Sequence, residues 1–113
     1  MTNTTELKKD RDLFIDWLQK EKNIDYKPSK DYYYRCLRVE RSANKDIGLL
    51  LLNEKTFLEF MEWIHQYGMQ KGIDKKKAYV LVGTLRSAVK KYAEFKNPDM
   101  LPVYQKRSYS YYF

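Results

Sequence analysis

The sequence has few of the residues that build metal centres, disulfide frameworks or nucleophilic catalytic sites. Its 113 residues include one cysteine, Cys36, and one histidine, His65. A single cysteine cannot form an internal disulfide, and one Cys with one His is a poor metal-ligand set. The sequence also lacks a glycine-rich phosphate loop and a motif that pairs a histidine with a nucleophile. We therefore expect no metal, no cofactor and no enzymatic activity.

Long apolar runs are also missing. Even the run of four leucines at residues 49–52 is far shorter than the roughly 20 residues that a membrane-spanning helix needs. No basic segment followed by an apolar one opens the chain, so we expect no secretory signal. Hydrophobic residues make up 43% of the chain and the mean hydropathy is −0.76, values typical of a soluble domain with a core. These features predict a reduced, cytoplasmic protein without membrane association.

Basic and aromatic residues, in contrast, are abundant. Lys and Arg together number 22 against 15 Asp and Glu, which gives a net charge of +7, and there are 11 tyrosines. Residues 27–47 carry a net charge of +3 and residues 73–113 carry +6, whereas residues 1–26 and residues 48–72 each carry −1. Positive charge concentrated in this way favours a polyanionic partner. The alternative is a charged surface that only keeps the protein soluble.

Apolar residues recur at helical spacing along most of the chain, which predicts an all-α fold. We expect a first helix over residues 5–23. A turn at Tyr26-Lys27-Pro28 should follow, because the residue before a proline is disfavoured in a helix. Ser29 should then act as the N-cap of a second helix over residues 30–43.

The second half of the sequence predicts two further helices. Thr56 and Glu59 have capping-box spacing, so a third helix should start there and run to about residue 67, with Gly68 as its C-cap. Asp74 is the expected N-cap of a fourth and longest helix, which should end near residue 96. The prediction is a single domain, a compact four- to five-helix bundle over residues 5–97 with a short aromatic tail at 98–113.

The second helix has a basic face opposite its apolar face. On a helical wheel that basic face carries Tyr34, Arg35, Arg38 and Arg41. Guanidinium groups can clamp phosphates with two hydrogen bonds, and a tyrosine can add a further hydrogen bond or a stacking surface. The alternative is that Asp31, Glu40 or an acidic residue of the first helix neutralises these arginines in ordinary ion pairs.

The fourth helix places Lys76, Arg86 and Lys90 away from its apolar stripe, together with Gly83. A glycine inside a helix costs about 1 kcal/mol relative to alanine. Its small size would allow a phosphate backbone or a partner helix to approach closely, or another helix of the same bundle to pack there.

The tail interleaves basic and aromatic side chains. These could stack on bases, anchor a protein partner or fold back onto the bundle. The residues concerned are Tyr104, Lys106, Arg107, Tyr109, Tyr111, Tyr112 and Phe113.

Two segments of the sequence resemble a known family. The first combines Trp17-Leu18 with residues 27–41, where Ser29 is followed four residues later by Tyr33; the second is residues 79–95. Both are similar to the SAM-like core-binding domain of tyrosine recombinases and phage integrases, and the resemblance covers roughly residues 7–97.

The resemblance implies a helical bundle that forms one half of a clamp around duplex DNA. The DNA contacts it implies are Lys27, Lys30, Arg35, Arg38, Arg41, Lys76, Arg86 and Lys90. The catalytic domain of that family is not in this chain, so the resemblance implies a free-standing, non-catalytic DNA-binding relative. A second hypothesis is a small phage or mobile-element protein that inhibits or bridges a host nucleic-acid-processing protein. A homodimer is compatible with either.

Overall fold

The computed structural model describes residues 4–71 and 74–100. The segments in which apolar residues recur at helical spacing form helices. Within these ranges the chain forms six α-helices and one 3-10 turn, Pro98–Met100, and no strand. The all-α prediction is therefore confirmed. The helices are α1 Glu6–Lys9, α2 Arg11–Glu21, α3 Tyr26–Ala43, α4 Ile47–Leu50, α5 Glu54–Lys71 and α6 Lys75–Lys96.

The predicted first helix is divided at Asp10 into α1 and α2. Thr5 caps α1 by accepting a hydrogen bond from the backbone N–H of Lys8. At the break, the carboxylate of Asp10 accepts a hydrogen bond from the Tyr92 hydroxyl, 2.8 Å away, and lies 2.9 Å from the ammonium of Lys96. Tyr92 is 82 residues away in sequence, so its contact with Asp10 leaves no periodic signal and the apolar spacing alone predicted one continuous helix.

The predicted turn before the second helix is wrong, because α3 begins at Tyr26. Pro28 lies in the first turn of α3, where its missing N–H leaves no hydrogen bond unmade and its fixed φ suits a helix. Ser29 is therefore inside the helix rather than at its N-cap. Its side chain is buried, and its hydroxyl donates to the carbonyl of Ile24 at 3.2 Å.

The start and end of α5 also differ from the prediction. The side chain of Asn53 accepts from the backbone N–H of Thr56, so Asn53, not Thr56, serves the exposed N–H groups of the first turn. The Thr56 hydroxyl donates to the carbonyls of Leu50 and Asn53. At the other end, Gly68 lies within the helix, which continues to Lys71.

The long helix α6 occupies the centre of the bundle. Asp74 caps it by accepting from the N–H of Lys77 at 2.8 Å, and it ends at Lys96, as predicted. It packs against α5 on one side and α3 on the other, and α2 covers α3. Six residues of its predicted apolar stripe are buried: Ala78, Val82, Leu85, Ala88, Val89 and Tyr92.

The α3–α6 contact includes the single cysteine. Cys36 is fully buried, and its thiol donates to the carbonyl of Ala88 at 3.2 Å. Burial raises the pKa of this thiol far above its ordinary value, so it stays protonated and unreactive. Cys36 is a small core residue, as its place on the helical wheel predicts. None of the helices in the described ranges is both long enough and apolar enough to cross a membrane.

Candidate nucleic-acid interface

The predicted faces of the second helix are confirmed in α3. Its buried side includes Tyr33, Cys36, Leu37 and Val39. The side chains that alternate with them at helical spacing are exposed, namely Lys27, Tyr34, Arg38 and Arg41. Lys30 and Arg35 are partly buried at the edge of this exposed face. The arginines therefore share one side of one helix.

Aromatic rings hold several of these cations in place. The guanidinium of Arg38 lies 5.7 Å from the ring centre of Tyr67 on α5, and its Nε donates to the Tyr67 hydroxyl at 3.3 Å. On α3 itself, Arg35 lies over Tyr32 at 5.9 Å and Lys30 lies over Tyr26 at 4.7 Å. A ring face orients a cation but leaves its net charge intact.

The acidic residues do not neutralise the α3 arginines. Glu40 is buried, and its carboxylate accepts from the Thr5 hydroxyl at 2.7 Å and from the Ile47 N–H at 3.3 Å. In residues 4–71 and 74–100 no ion pair includes an α3 arginine. The predicted alternative of ordinary ion pairs is therefore wrong within these ranges.

Tyr67 is the centre of a cluster that joins α3 to α5. Its hydroxyl accepts from Arg38 and also from the Ser42 hydroxyl at 3.1 Å, and the Lys71 ammonium lies 5.9 Å from its ring centre. The Ser42 hydrogen bond lowers the pKa of Tyr67 most. Arg38 and Lys71 lower it further, against the opposing effect of burial. Arg38, Ser42, Tyr67 and Lys71 form what we term the tyrosine–arginine cluster.

Sequence reasoning missed the α5 half of this cluster. It ended the third helix at about residue 67 and so left Lys71 outside that helix, whereas α5 continues to Lys71. Tyr67 and Lys71 are four residues apart, a spacing that places both on one face of a helix. That spacing was the available signal.

Arg86 is not on an exposed face as the helical wheel predicted. Its side chain is buried between α6 and α5, and its Nε and Nη2 both donate to the carbonyl of Met61 at 3.4 Å. The wheel assumed one apolar stripe, but α6 is covered by α5 and by α3 on different sides. Arg86 therefore belongs to the helix packing and offers no surface contact.

The other two cations predicted on α6 differ in exposure. Lys76 is exposed in the first turn, between Lys75 and Lys77, which are exposed as well. Lys90 is partly buried, and burial lowers its pKa, as do the neighbouring charges of Lys91 and Arg86. Lys76 is thus the better placed of the two for contact with a large anion.

Gly83 is exposed, and a Cβ built there would meet no atom within 4 Å. Among the described residues, no other helix of the bundle packs on Gly83. The glycine used for helix packing is Gly68, where an added Cβ would overlap the side chain of Val82. Tyr79 and Val80 lie close to Gly83 along α6 and are 53% and 63% exposed.

Some of the candidate residues lie together, and others lie apart from them. Arg38 and Lys71 both contact Tyr67 at the carboxyl-terminal half of α3, and Arg41 is exposed one helical turn after Arg38. Lys27 is 11 residues before Arg38, about 16 Å along the helix axis. The structure therefore gathers the contacts at one end of α3.

A polar cleft of about 400 Å³ lies beside this end of α3. Its lining includes the cations of Lys8, Arg41 and Lys45 and the carboxylates of Glu40 and Asp46. No group of three potential metal ligands among His, Cys, Asp and Glu occurs in the part of the chain that the structure describes.

The predicted contacts of the tail lie outside the described residues. They are Tyr104, Lys106, Arg107, Tyr109, Tyr111, Tyr112 and Phe113. Comparisons of the chain with models of protein families, with curated proteins and with solved structures each find no match.

Proposed function

We propose that this chain is a non-catalytic DNA-binding module that contacts the phosphates of a duplex through the exposed face of α3. One observation carries the proposal: Arg35 and Arg38 lie over tyrosine rings, and no α3 arginine has a carboxylate partner in the described ranges. A phosphate would be the first group to neutralise them.

The geometry of Arg38 supports this function. Its Nε is engaged by the Tyr67 hydroxyl and its plane is held near the ring, so the side chain loses little further conformational freedom on binding. The remaining N–H groups of the guanidinium are arranged in the fork that suits phosphate oxygens. Arg41 follows on the same exposed face, one helical turn later.

The proposed contacts are those of the sequence analysis without the buried Arg86 and the partly buried Lys90. Arg38 and Arg41 are central. Lys71 is added from α5 and Lys76 is retained from α6, whereas Lys27, Lys30, Tyr34 and Arg35 extend the surface along α3. The resemblance of residues 7–97 to the core-binding domain of tyrosine recombinases supports the same use of the second helix. Phosphate contacts do not read sequence, so we expect little preference between duplexes.

The test is fluorescence anisotropy with a random duplex at two salt concentrations. The variant Arg38→Ala/Arg41→Ala should bind more weakly, and the slope of log affinity against log salt should fall by about 2, one unit for each lost phosphate contact. The control variant Lys9→Ala/Lys20→Ala removes the same charge from exposed positions of α1 and α2. Equal effects of the two variants would mean that only net charge matters, and absence of duplex binding at low salt would contradict the proposal.

A second candidate function follows from the exposed surface around Gly83. Tyr79, Val80 and Gly83 are exposed within one turn of α6, with lysines at the amino-terminal end of that helix, and exposed apolar patches often contact proteins. The chain would then be a small phage or mobile-element protein that inhibits or bridges a host nucleic-acid-processing protein. Under this function, Tyr79→Ala/Val80→Ser abolishes capture of the host protein while Arg38→Ala/Arg41→Ala leaves it intact.

A further inference from the structure

The hydroxyl of Tyr67 lies at the surface, where α3 meets α5. Its oxygen accepts two hydrogen bonds there, from the Arg38 Nε at 3.3 Å and from the Ser42 hydroxyl at 3.1 Å. Both donor side chains are exposed. A tyrosine hydroxyl can donate one hydrogen bond besides those it accepts. Among residues 4–71 and 74–100, Tyr67 donates its proton to no other group, so this proton is free for a ligand.

The ring of Tyr67, in contrast, is already engaged within the fold. Trp63 stacks on it with ring centres 5.2 Å apart and planes at 13°. The Arg38 guanidinium and the Lys71 ammonium lie over the same ring, 5.7 Å and 5.9 Å from its centre. A base or an aromatic side chain of a partner therefore has no open ring face to stack on. The hydroxyl is the part of the Tyr67 side chain that remains for a ligand.

The charges around this hydroxyl favour an anion. Neither Arg38 nor Lys71 has a carboxylate partner in the described parts of the chain. The Ser42 hydrogen bond and, less strongly, these two cations lower the pKa of Tyr67, and a more acidic hydroxyl is a stronger donor. The guanidinium of Arg38 keeps the N–H groups of Nη1 and Nη2 for a ligand, because only its Nε is used by Tyr67. Phosphate oxygens can accept from a guanidinium and a hydroxyl at the same time.

We propose that the Tyr67 hydroxyl donates directly to the nucleic-acid phosphate that Arg38 and Lys71 attract, so that the tyrosine–arginine cluster binds one phosphate through two cations and one neutral donor. This inference rests on the proposed function, in which Tyr67 only orients Arg38. The two kinds of contact differ in their response to salt. Cations that neutralise a phosphate release counterions, so their contribution to affinity falls as salt rises. A neutral hydroxyl releases none, so its contribution stays the same.

The experiment uses Tyr67→Phe, which keeps the ring and removes only the hydroxyl. Binding to a random duplex is followed by fluorescence anisotropy over a series of salt concentrations. The variant should bind about tenfold more weakly, the low end expected for a hydrogen bond to a charged group. Its slope of log affinity against log salt should equal that of the native protein. The matched control Tyr79→Phe removes the same hydroxyl from an exposed tyrosine on α6 and should bind as the native protein does.

A double-mutant cycle separates direct donation from the orientation of Arg38. Tyr67→Phe also removes the acceptor of the Arg38 Nε, so part of its effect arises through that guanidinium. In the Arg38→Ala background there is no guanidinium left to orient. Direct donation predicts that Tyr67→Phe weakens duplex binding in this background too, at the salt slope of Arg38→Ala. Circular dichroism of all four proteins confirms that they are compared in the folded state.

The outcomes distinguish the inference from the proposed function. If Tyr67→Phe costs less than about twofold in the Arg38→Ala background, Tyr67 is only a positioning residue and the inference is overturned. The proposed function then still stands on the loss caused by Arg38→Ala. A salt slope lowered in Tyr67→Phe as much as in Arg38→Ala also overturns the inference, because the hydroxyl would then act only through the cation. Absence of duplex binding by the native protein at low salt overturns both.

Discussion

Two regions of the molecule use tyrosine and lysine in opposite ways. Where α1 meets the end of α6, the Tyr92 hydroxyl donates to Asp10, and Lys96 lies 2.9 Å from Asp10 and 3.0 Å from Glu6. We term these four residues the paired end. In the tyrosine–arginine cluster, the Tyr67 hydroxyl instead accepts from Arg38 and Ser42. One tyrosine faces carboxylates and the other faces cations.

The difference is visible in the two tyrosine pKa values. Burial, followed by the hydrogen bond and negative charge of Asp10, raises the pKa of Tyr92. Hydrogen bonds from Ser42 and Arg38, with the positive charges around them, lower the pKa of Tyr67. The paired end is neutralised within the fold, whereas the cluster keeps an excess of positive charge. This comparison distinguishes basic residues that stabilise the bundle from basic residues that are available to bind a partner.

The largest expected effect is the difference in unfolding free energy between alanine variants of the two tyrosines. Tyr92 is fully buried, and its ring contacts Phe14 edge-on at 5.2 Å, so Tyr92→Ala should cost about 3–5 kcal/mol of unfolding free energy. Tyr67→Ala removes a partly buried ring and should cost far less, while duplex affinity falls because Arg38 loses its support. Urea unfolding followed by circular dichroism measures both. Equal losses of stability would erase the distinction between the regions.

The next effect tests the carboxylate at the paired end. Asp10→Asn replaces a charged acceptor shared by Tyr92 and Lys96, both little exposed there, and should cost about 1–3 kcal/mol. The matched control is Asp12→Asn, two residues later, whose carboxylate is highly exposed and pairs with Arg11 at the surface. We expect little change in that control. A similar cost for both would show that the contacts of Asp10 contribute no special stability.

A pH-dependent effect should come from Glu40, which lies between the two regions. Burial raises the pKa of this carboxyl above its ordinary 4.5, and the charge of Asp46 adds to the rise, against hydrogen bonds from Thr5 and Ile47. The unfolded chain therefore releases this proton at lower pH than the folded protein does. The stabilisation is complete below about pH 4.5 and is lost as pH rises through the folded pKa, by less than about 1.4 kcal/mol per pH unit.

The variant Glu40→Gln cannot titrate at this position. At pH 4, where this carboxyl is protonated, the amide matches it with one acceptor oxygen and one donor group, so the two proteins should melt at similar temperatures. As pH rises to 7 the native protein should lose stability relative to the variant, because only its carboxyl ionises at this buried position. A difference that stays constant over this range, or a native protein that gains stability relative to the variant, would contradict the raised pKa.

Local patterns predicted much of this fold. The apolar spacing identified the four longer helices, and the exposed and buried sides of α3 follow it at most positions. The cap at Asp74 was also predictable, because an aspartate at the start of a helix acts on an N–H three residues away. These features depend on residues that are close in sequence.

The sequence could not predict features that depend on distant partners. The break at Asp10 is stabilised by Tyr92 and Lys96, and Arg86 is buried because α5 covers its side of α6. The groove lined by Ala43, Leu50 and Trp63 needs α3, α4 and α5 together. The basic face of α3 was found, but its tyrosine partner on α5 was not, since that contact spans 29 residues.

The smallest effect concerns two glycines inside helices, Gly68 and Gly83, whose packing the sequence did not predict correctly. Gly83 lies in α6 with open space where a Cβ would be, so Gly83→Ala should stabilise the protein by about 1 kcal/mol through helix propensity alone. Gly68→Ala should destabilise it, because the new methyl group overlaps Val82. Duplex affinity of Gly83→Ala then tests the boundary of the binding surface. Unchanged affinity would place the middle of α6 outside the binding surface, whereas weaker binding by this more stable variant would mean that DNA also approaches the backbone of α6 at Gly83.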